Sequence, residues 1–174
     1  MCFNFKKVTP AQFKQMYSLM EESFPEYEHR TYSEQEKLLS NPNYCAYVLE
    51  NENTVIAFVA VFCFKKFCFI EHIAVLPEYR NNGLGAAMLK QIRKISKGPI
   101  CLEVELPDSP LSSRRIEFYK RNGFYLNEYS YIQPSMTAGQ KSIPLMIMTS
   151  DEKITEDEFT YIRSVLYSRV YNLK

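Results

Sequence analysis

The stretch IEHIAVLPEYRNNGLGAAMLKQI, residues 70–92, decides how the chain is read. It opens with a β-favouring apolar run, 70–76, which Pro77 stops because proline cannot donate to a central ladder. A short linker, Glu78-Tyr79-Arg80-Asn81-Asn82, leads into Gly83-Leu84-Gly85, and the residues that follow, Ala86 to Gln91, are strong helix formers. The order is strand, glycine turn, helix. Glycine at a helix start lets the backbone approach a ligand closely. The unpaired first-turn N–H groups and the positive end of the helix dipole then favour a phosphate.

A lone Gly-x-Gly also fits a plain packing turn. Two better-known phosphate loops fail on spacing. A dinucleotide turn needs its first glycine almost directly after the strand and a small residue three places after the second; here six residues, 77–82, intervene and the third place is Met88. Glu103 and Glu105 lie about the right distance downstream for a ribose-binding acid, but that does not repair the turn. A Walker loop needs Gly-Lys-Ser/Thr, which does not follow. Arg80-x-x-Gly83-x-Gly85-Ala86, after a strand ending Ala74-Val75-Leu76-Pro77, instead resembles the pyrophosphate-binding motif of the GNAT superfamily of acyl-CoA N-acyltransferases. About 35 residues on, Ile116-Glu117-Phe118-Tyr119-Lys120-Arg121-Asn122-Gly123-Phe124 resembles the second signature of that superfamily, a helix ending in Phe-Tyr before a Gly-Phe turn. Where the family often carries Asn and Ala in that helix, this chain has Ser112 and Arg115.

The 174 residues fit one domain, 1–174, long enough to bury a sizeable core. A net charge of +1 gives no broad footprint for nucleic acid or an anionic membrane. The longest apolar run, 55–64, is about half of what a membrane helix needs, and MCFNFKKVTP lacks the apolar core of a signal peptide. A cytoplasmic location is expected. Cys2, Cys45, Cys63, Cys68 and Cys101 make an odd count without a C-x-x-C pair, which suits reduced core cysteines. No metal is implied. Cys101 is the least unlikely acyl carrier, though no adjacent His supports it.

Thr9-Pro10-Ala11-Gln12 signals a helix over 10–22 with Phe13, Met16, Tyr17 and Met20 as its apolar stripe. Ser33-x-x-Glu36 reads as the capping box of a short helix that stops before Asn41-Pro42. Between them, 24–30 is a polar-aromatic loop, which the GNAT resemblance makes a wall of the acceptor pocket and the residues alone make a solvated connector with aromatic staples. Residues 44–50 and 54–64 flank Asn51-Glu52-Asn53 as a hairpin, and Lys65-Lys66 marks a solvated turn into the next strand. A strand over 100–106 should run parallel to 70–76, because a helix connects them. Residues 109–113 precede a helix over 114–121, a strand follows over 124–132, 133–143 is a flexible loop, and 144–149 is the last strand. Thr155-x-x-Glu158 caps a C-terminal helix, about 155–171, with Phe159, Ile162, Val165, Leu166 and Val170 on one face. Its Tyr161, Tyr167 and Tyr171 read as packing residues.

The resemblance covers roughly 8–149. It implies an α/β (α+β) fold: a GNAT-like mixed central sheet with splayed parallel strands and flanking helices, here with an extra C-terminal helix. It implies acetyl-CoA as cosubstrate and direct attack of a primary amine on the thioester. The acceptor would be a small molecule or a protein amine, with no nucleic acid or membrane partner, and the enzyme a monomer or homodimer. Backbone amides of Arg80, Asn81, Asn82, Gly83, Leu84, Gly85 and Ala86 would hold the diphosphate, and Ser112 stands in the helix from which the family contacts the cofactor. The N–H of Val75 would polarise the thioester carbonyl, and Tyr119 would bind the cofactor and protonate the departing thiolate.

By period-2 alternation Glu71 shares a strand face with Phe69, Ile73 and Val75 while His72 points away. Glu71, an acid among apolar residues, is expected to have a raised pKa and to serve as base. Glu103 and Glu105 are the fallback, as base or as recognition groups for a cationic acceptor, with pairing to arginines as the structural alternative. A non-catalytic acyl-CoA-binding or sensing domain remains the other functional class.

Overall fold

Thr9, Pro10 and Gln12 start the first helix as their residue types demand. In the computed structural model, which describes residues 4–137 and 139–173, α1 runs Pro10–Ser23, and Gln12 Oε1 accepts the Thr9 N–H at 3.0 Å. The chain divides into two compact units, Met1–Gly98 and Pro99–Lys174.

In the first unit a short strand β1 (Lys6–Lys7) pairs antiparallel with β2 (Tyr44–Asn51), which pairs with β3 (Thr54–Cys63), which pairs with β4 (Cys68–Val75). Glu52 and Asn53 both take positive φ (48° and 68°), the backbone a two-residue hairpin turn requires. β3 is buried at every position from Val55 to Phe62, so both its faces are covered, and α1 and α3 (Leu84–Ile95) pack on it. That explains a continuous apolar run where a half-buried strand would alternate. Phe13, Met16, Tyr17 and Met20 all lie in the core.

The second helix, α2, runs Tyr32–Lys37 and is capped two residues earlier than the sequence suggested. Thr31, not Ser33, supplies the box: Glu34 Oε2 accepts from the Thr31 N–H at 3.1 Å and from its hydroxyl at 2.7 Å. A 3-10 turn over Leu38–Ser40 ends this segment before Asn41-Pro42, as expected.

The second unit joins β5 (Ile100–Glu105), α4 (Pro110–Arg121), β6 (Phe124–Gln133), β7 (Ile143–Ser150) and α5 (Glu156–Arg169). β7 lies between β5 and β6 and is antiparallel to both. α4 starts four residues before the expected 114, because Pro110 opens it and the Ser109 hydroxyl accepts the Ser112 N–H at 3.1 Å. The turn after α4 uses Gly123 at φ 78°, and α4 packs on β5 and β6. α5 has the expected Thr155/Glu158 box and lays Phe159, Ile162 and Leu166 against the unit, while Val165 is only half-buried.

Candidate active site

β4 ends at Val75, and a 3-10 turn over Pro77–Tyr79 leads the backbone round to α3. Asn81 and Gly83 both take positive φ, 65° and 77°, and Gly83 is the N-cap of α3. The first intrahelical bond runs from the Ala87 N–H to the Gly83 carbonyl at 3.0 Å. The N–H groups of Leu84, Gly85 and Ala86 therefore fall within the first turn, which has no intrahelical acceptors. A Cβ built on Gly83 would meet nothing within 4 Å among the described residues, so the space over this turn is open. Asn81, Asn82 and Gly83 are exposed. The Arg80 side chain folds back, donating from Nε to the Val75 carbonyl at 3.0 Å, and Asn82 Nδ2 donates to the Tyr79 carbonyl at 3.2 Å. The loop is thereby tied to the end of β4. A glycine in the left-handed region, open space above it and a first turn of outward amides fit a diphosphate.

Glu71 sits differently from its expectation. The β3–β4 pairing passes from Val61–Ile70 to Ala60–His72, leaving Glu71 as an extra residue in β4. Such a bulge breaks side-chain alternation. Both neighbours turn to the same loop: Glu71 Oε1 accepts from Arg30 Nη1 at 2.5 Å, and His72 Nε2 donates to the Glu28 carbonyl at 2.8 Å. His72 therefore does not point away from Glu71; its Nδ1 lies 3.5 Å from Glu71 Oε2. The expected raised pKa is also corrected. Burial pushes the carboxyl up, but the Arg30 guanidinium, with His72 helping, outweighs it and holds Glu71 at about 2. Its side chain is fully buried and that of Arg30 nearly so.

Residues 24–30 are anchored at both ends while Pro25 and Glu26 stay exposed. His29 and Arg30 are buried, the Arg30 carbonyl accepts from the Tyr17 hydroxyl at 2.9 Å, and the Phe24 ring meets His72 edge-on at 4.8 Å. Nearby, the Tyr44 hydroxyl accepts from Gln35 Nε2 at 2.8 Å, and burial followed by the Glu71 charge pushes its pKa far up.

In the second unit Tyr119 is buried on α4 between Phe118 and Phe124. Burial pushes its phenol up to about 12 against the opposing pull of Arg115, and among the described residues its hydroxyl has no hydrogen-bond partner. Ser112 is buried within the cap of α4, its hydroxyl 2.9 Å from that of Ser109 and donating to the Ser109 carbonyl at 3.0 Å. Glu105 pairs with Arg115 at 2.7 Å, the arginine pairing expected of it. Glu103 is half-buried and accepts from tyrosine hydroxyls instead: Tyr131, and Tyr171 at 2.8 Å to Oε1 and 2.7 Å to Oε2. Tyr171 is therefore more than a packing residue.

Sequence reasoning missed Arg30, Tyr131 and Tyr171. Arg30 lies 41 positions from Glu71, Tyr131 28 and Tyr171 68 from Glu103, and no spacing rule joins such pairs. Cys45, Cys63, Cys68 and Cys101 are free thiols, and Cys2 lies outside the described residues. Cys101 is buried at 1% exposure, which removes it as an acyl carrier. Among the described residues no group of three or more His, Cys, Asp or Glu could hold a metal ion, and no helix is long and apolar enough to cross a membrane.

Comparison with known proteins agrees with these motifs. The sequence model of the Acetyltransferase (GNAT) family matches residues 13–124. "Putative acetyltransferase YjbC" of Bacillus subtilis (strain 168) is 24% identical over 161 residues, 91% of this chain and 82% of that protein. The solved structure "Putative acetyltransferase from GNAT family from Bacteroides thetaiotaomicron" superposes with a TM-score of 0.89 at 32% identity, covering 98% of this chain and 99% of that one. An aminoglycoside 6'-N-acetyltransferase complexed with coenzyme A shares the fold at a TM-score of 0.66 and 16% identity, over 84% of this chain and 96% of that one. With the glycine turn at the head of α3, the Phe-Tyr end of α4 and a GNAT-like α/β fold in one sequence, this chain belongs to the Acetyltransferase (GNAT) family and is an N-acetyltransferase.

Proposed function

We propose that the chain binds acetyl-CoA over the Gly83 turn and passes its acetyl group to a primary amine by direct attack, without an acyl-enzyme. The observation that carries this is the N-terminus of α3, with Gly83 at φ 77° under open space and the first-turn amides of Leu84, Gly85 and Ala86 beside it. Backbone N–H groups from Asn81 to Ala86 hold the diphosphate, helped by the helix dipole, whereas the Arg80 N–H expected among them is given to the Pro77 carbonyl at 3.2 Å. Acetyl-CoA, when bound, supplies an activated thioester carbonyl. The Val75 N–H polarises that carbonyl in the manner of an oxyanion donor. Tyr119 donates from its hydroxyl to the departing sulfur; a phenol held at about 12 stays protonated through the neutral range. Ser112 contributes by fixing the start of α4.

Glu71 is better read as an anchor than as the base. A carboxylate held at about 2 takes a proton from an ammonium poorly, and Glu71 ties β4 to the Arg30 loop, which we take as a wall of the acceptor site. Glu103 stays the fallback, as base or as recognition group for a cationic acceptor, with solvent as the other proton acceptor. The acceptor is a small-molecule or protein amine. Residues 1–174 act as one domain with α5 appended, a reading supported by a family match that runs across Gly98–Pro99. We take the chain to be a cytoplasmic monomer or homodimer; a net charge of +1 offers no broad basic footprint for a nucleic-acid or membrane partner.

Gly83→Val tests the donor site. The new side chain would meet no protein atom within 4 Å of its Cβ, so packing is spared, although a β-branched residue at positive φ strains the turn. The variant should stay folded and lose acetyl-CoA binding in calorimetry. Wild-type affinity would remove the turn from the account.

A further inference from the structure

Phe62-Cys63-Phe64 and Phe67-Cys68-Phe69 read the same in both directions about Lys65-Lys66. A two-residue turn at the lysines brings the two cysteines together across the hairpin, and β3 and β4 fold in this way. Cys63 lies directly opposite Cys68 in the ladder, and their sulfurs are 2.7 Å apart. Position in the ladder matters as much as distance. The Phe64 N–H donates to the Phe67 carbonyl at 2.8 Å, so that pair carries the hydrogen bonding next to the turn. The Cys63 N–H points the other way, to the Asn43 carbonyl at 2.7 Å. Cys63 and Cys68 therefore form a non-hydrogen-bonded pair, in which Cα atoms approach to about 4.5 Å and side chains are closest. That separation lies within the range a disulfide spans.

A thiol buried in apolar surroundings is ordinarily inert. Here the hydrogen bond to Cys63, with Ser96 helping, outweighs burial and holds Cys68 at about 7, while the same bond, and then burial, push Cys63 up. One proton is held between the two sulfurs. Cys68 is buried, but Cys63 is half-buried and lies beside the exposed Lys65 and Lys66, so a small oxidant meets the pair at Cys63. Cys45 on β2, opposite Val61, is also half-buried and adds to the Cys63 shift, which makes it the competing thiol of this region.

We propose that Cys63 and Cys68 are a modification site, oxidised by hydrogen peroxide to a reversible disulfide that joins β3 to β4. The shared proton passes to Cys68, and the Cys63 thiolate attacks a peroxide oxygen: an S–O bond forms, the O–O bond breaks and hydroxide leaves. The Cys68 sulfur then attacks the Cys63 sulfenic sulfur. An S–S bond forms, and the departing hydroxide carries off the Cys68 proton as water. Two electrons pass from the sulfurs to the peroxide, and a thiol reductant reverses the change. A second thiol this close intercepts the sulfenic acid before more peroxide takes it to the irreversible sulfinic acid.

The full chain, folded and reduced, is treated with equimolar hydrogen peroxide, its free thiols are alkylated, and it is digested with trypsin. The intact mass before alkylation should fall by two hydrogen atoms and recover with dithiothreitol. Trypsin cuts after Lys65 and Lys66, inside the loop that the bridge closes, so peptides 38–65 and 67–80 should run as one linked species without reductant and as two with it. Peptide 38–65 also holds Cys45. Cys45→Ser should keep the link and Cys63→Ser should lose it, and fragmentation of the wild-type linked pair identifies the bonded sulfur without any variant. A link made by Cys45, oxygen atoms gained at Cys63 without a link, or thiols that outlast the peroxide unchanged would each overturn the proposal.

Discussion

A carboxylate's protonation depends on which of two opposing effects is larger, and at Glu71 the Arg30 charge at 2.5 Å prevails over burial. The sign of the consequence for stability follows. A folded-state value near 2 lies below the unfolded value of 4.5, so the stabilisation is full above about 4.5 and is lost as pH falls towards 2. At about 1.4 kcal/mol per pH unit this is on the order of 3 kcal/mol. Acid denaturation should therefore be steep between about pH 4.5 and 2 in the wild type and shallower in Glu71→Gln; superimposable curves would mean that Glu71 is not held down. Tyr119 makes the contrasting case, since burial outweighs the opposing Arg115 charge at its phenol. Tyr119→Phe keeps the packing against Phe118 and Phe124, so acetyl-CoA affinity should persist while kcat falls roughly 10-fold or more. An unchanged rate when chemistry limits turnover would return Tyr119 to packing.

Elements were legible where their signals are local. Thr9-Pro10-Gln12, the hairpin turn at Glu52 and Asn53, and the glycine turn before α3 all appear where residue types require them. Two signals competed in TYSEQEK: Thr31-x-x-Glu34 and Ser33-x-x-Glu36 are both capping boxes, and only the first has its side chains paired. Thr31→Ala should cost about 1 kcal/mol in denaturant unfolding and Ser33→Ala close to nothing. Equal costs would remove the assignment of the cap. The bulge in β4 was not legible, because a period-2 pattern carries no mark of one extra residue; the misplacement of His72 followed from it.

At the scale of the whole molecule, the proposed donor site was readable because it is built from backbone and glycine within a few consecutive positions. The side that would take the acceptor was not. Pairs such as Arg30–Glu71 and Tyr171–Glu103 carry no local signal, because fold topology brings them together across 41 and 68 positions. That division also explains why family membership identifies the reaction and leaves the amine unnamed. The most direct measurement is acetyl-CoA turnover across a panel of primary amines, small and peptidyl, followed by release of free thiol and by mass of the product. Thiol release should appear with at least one amine, match acetylated product one for one, and fall to background without an acceptor. Tight acetyl-CoA binding with no amine-dependent release anywhere in the panel would contradict the account and mark the chain as a binding domain.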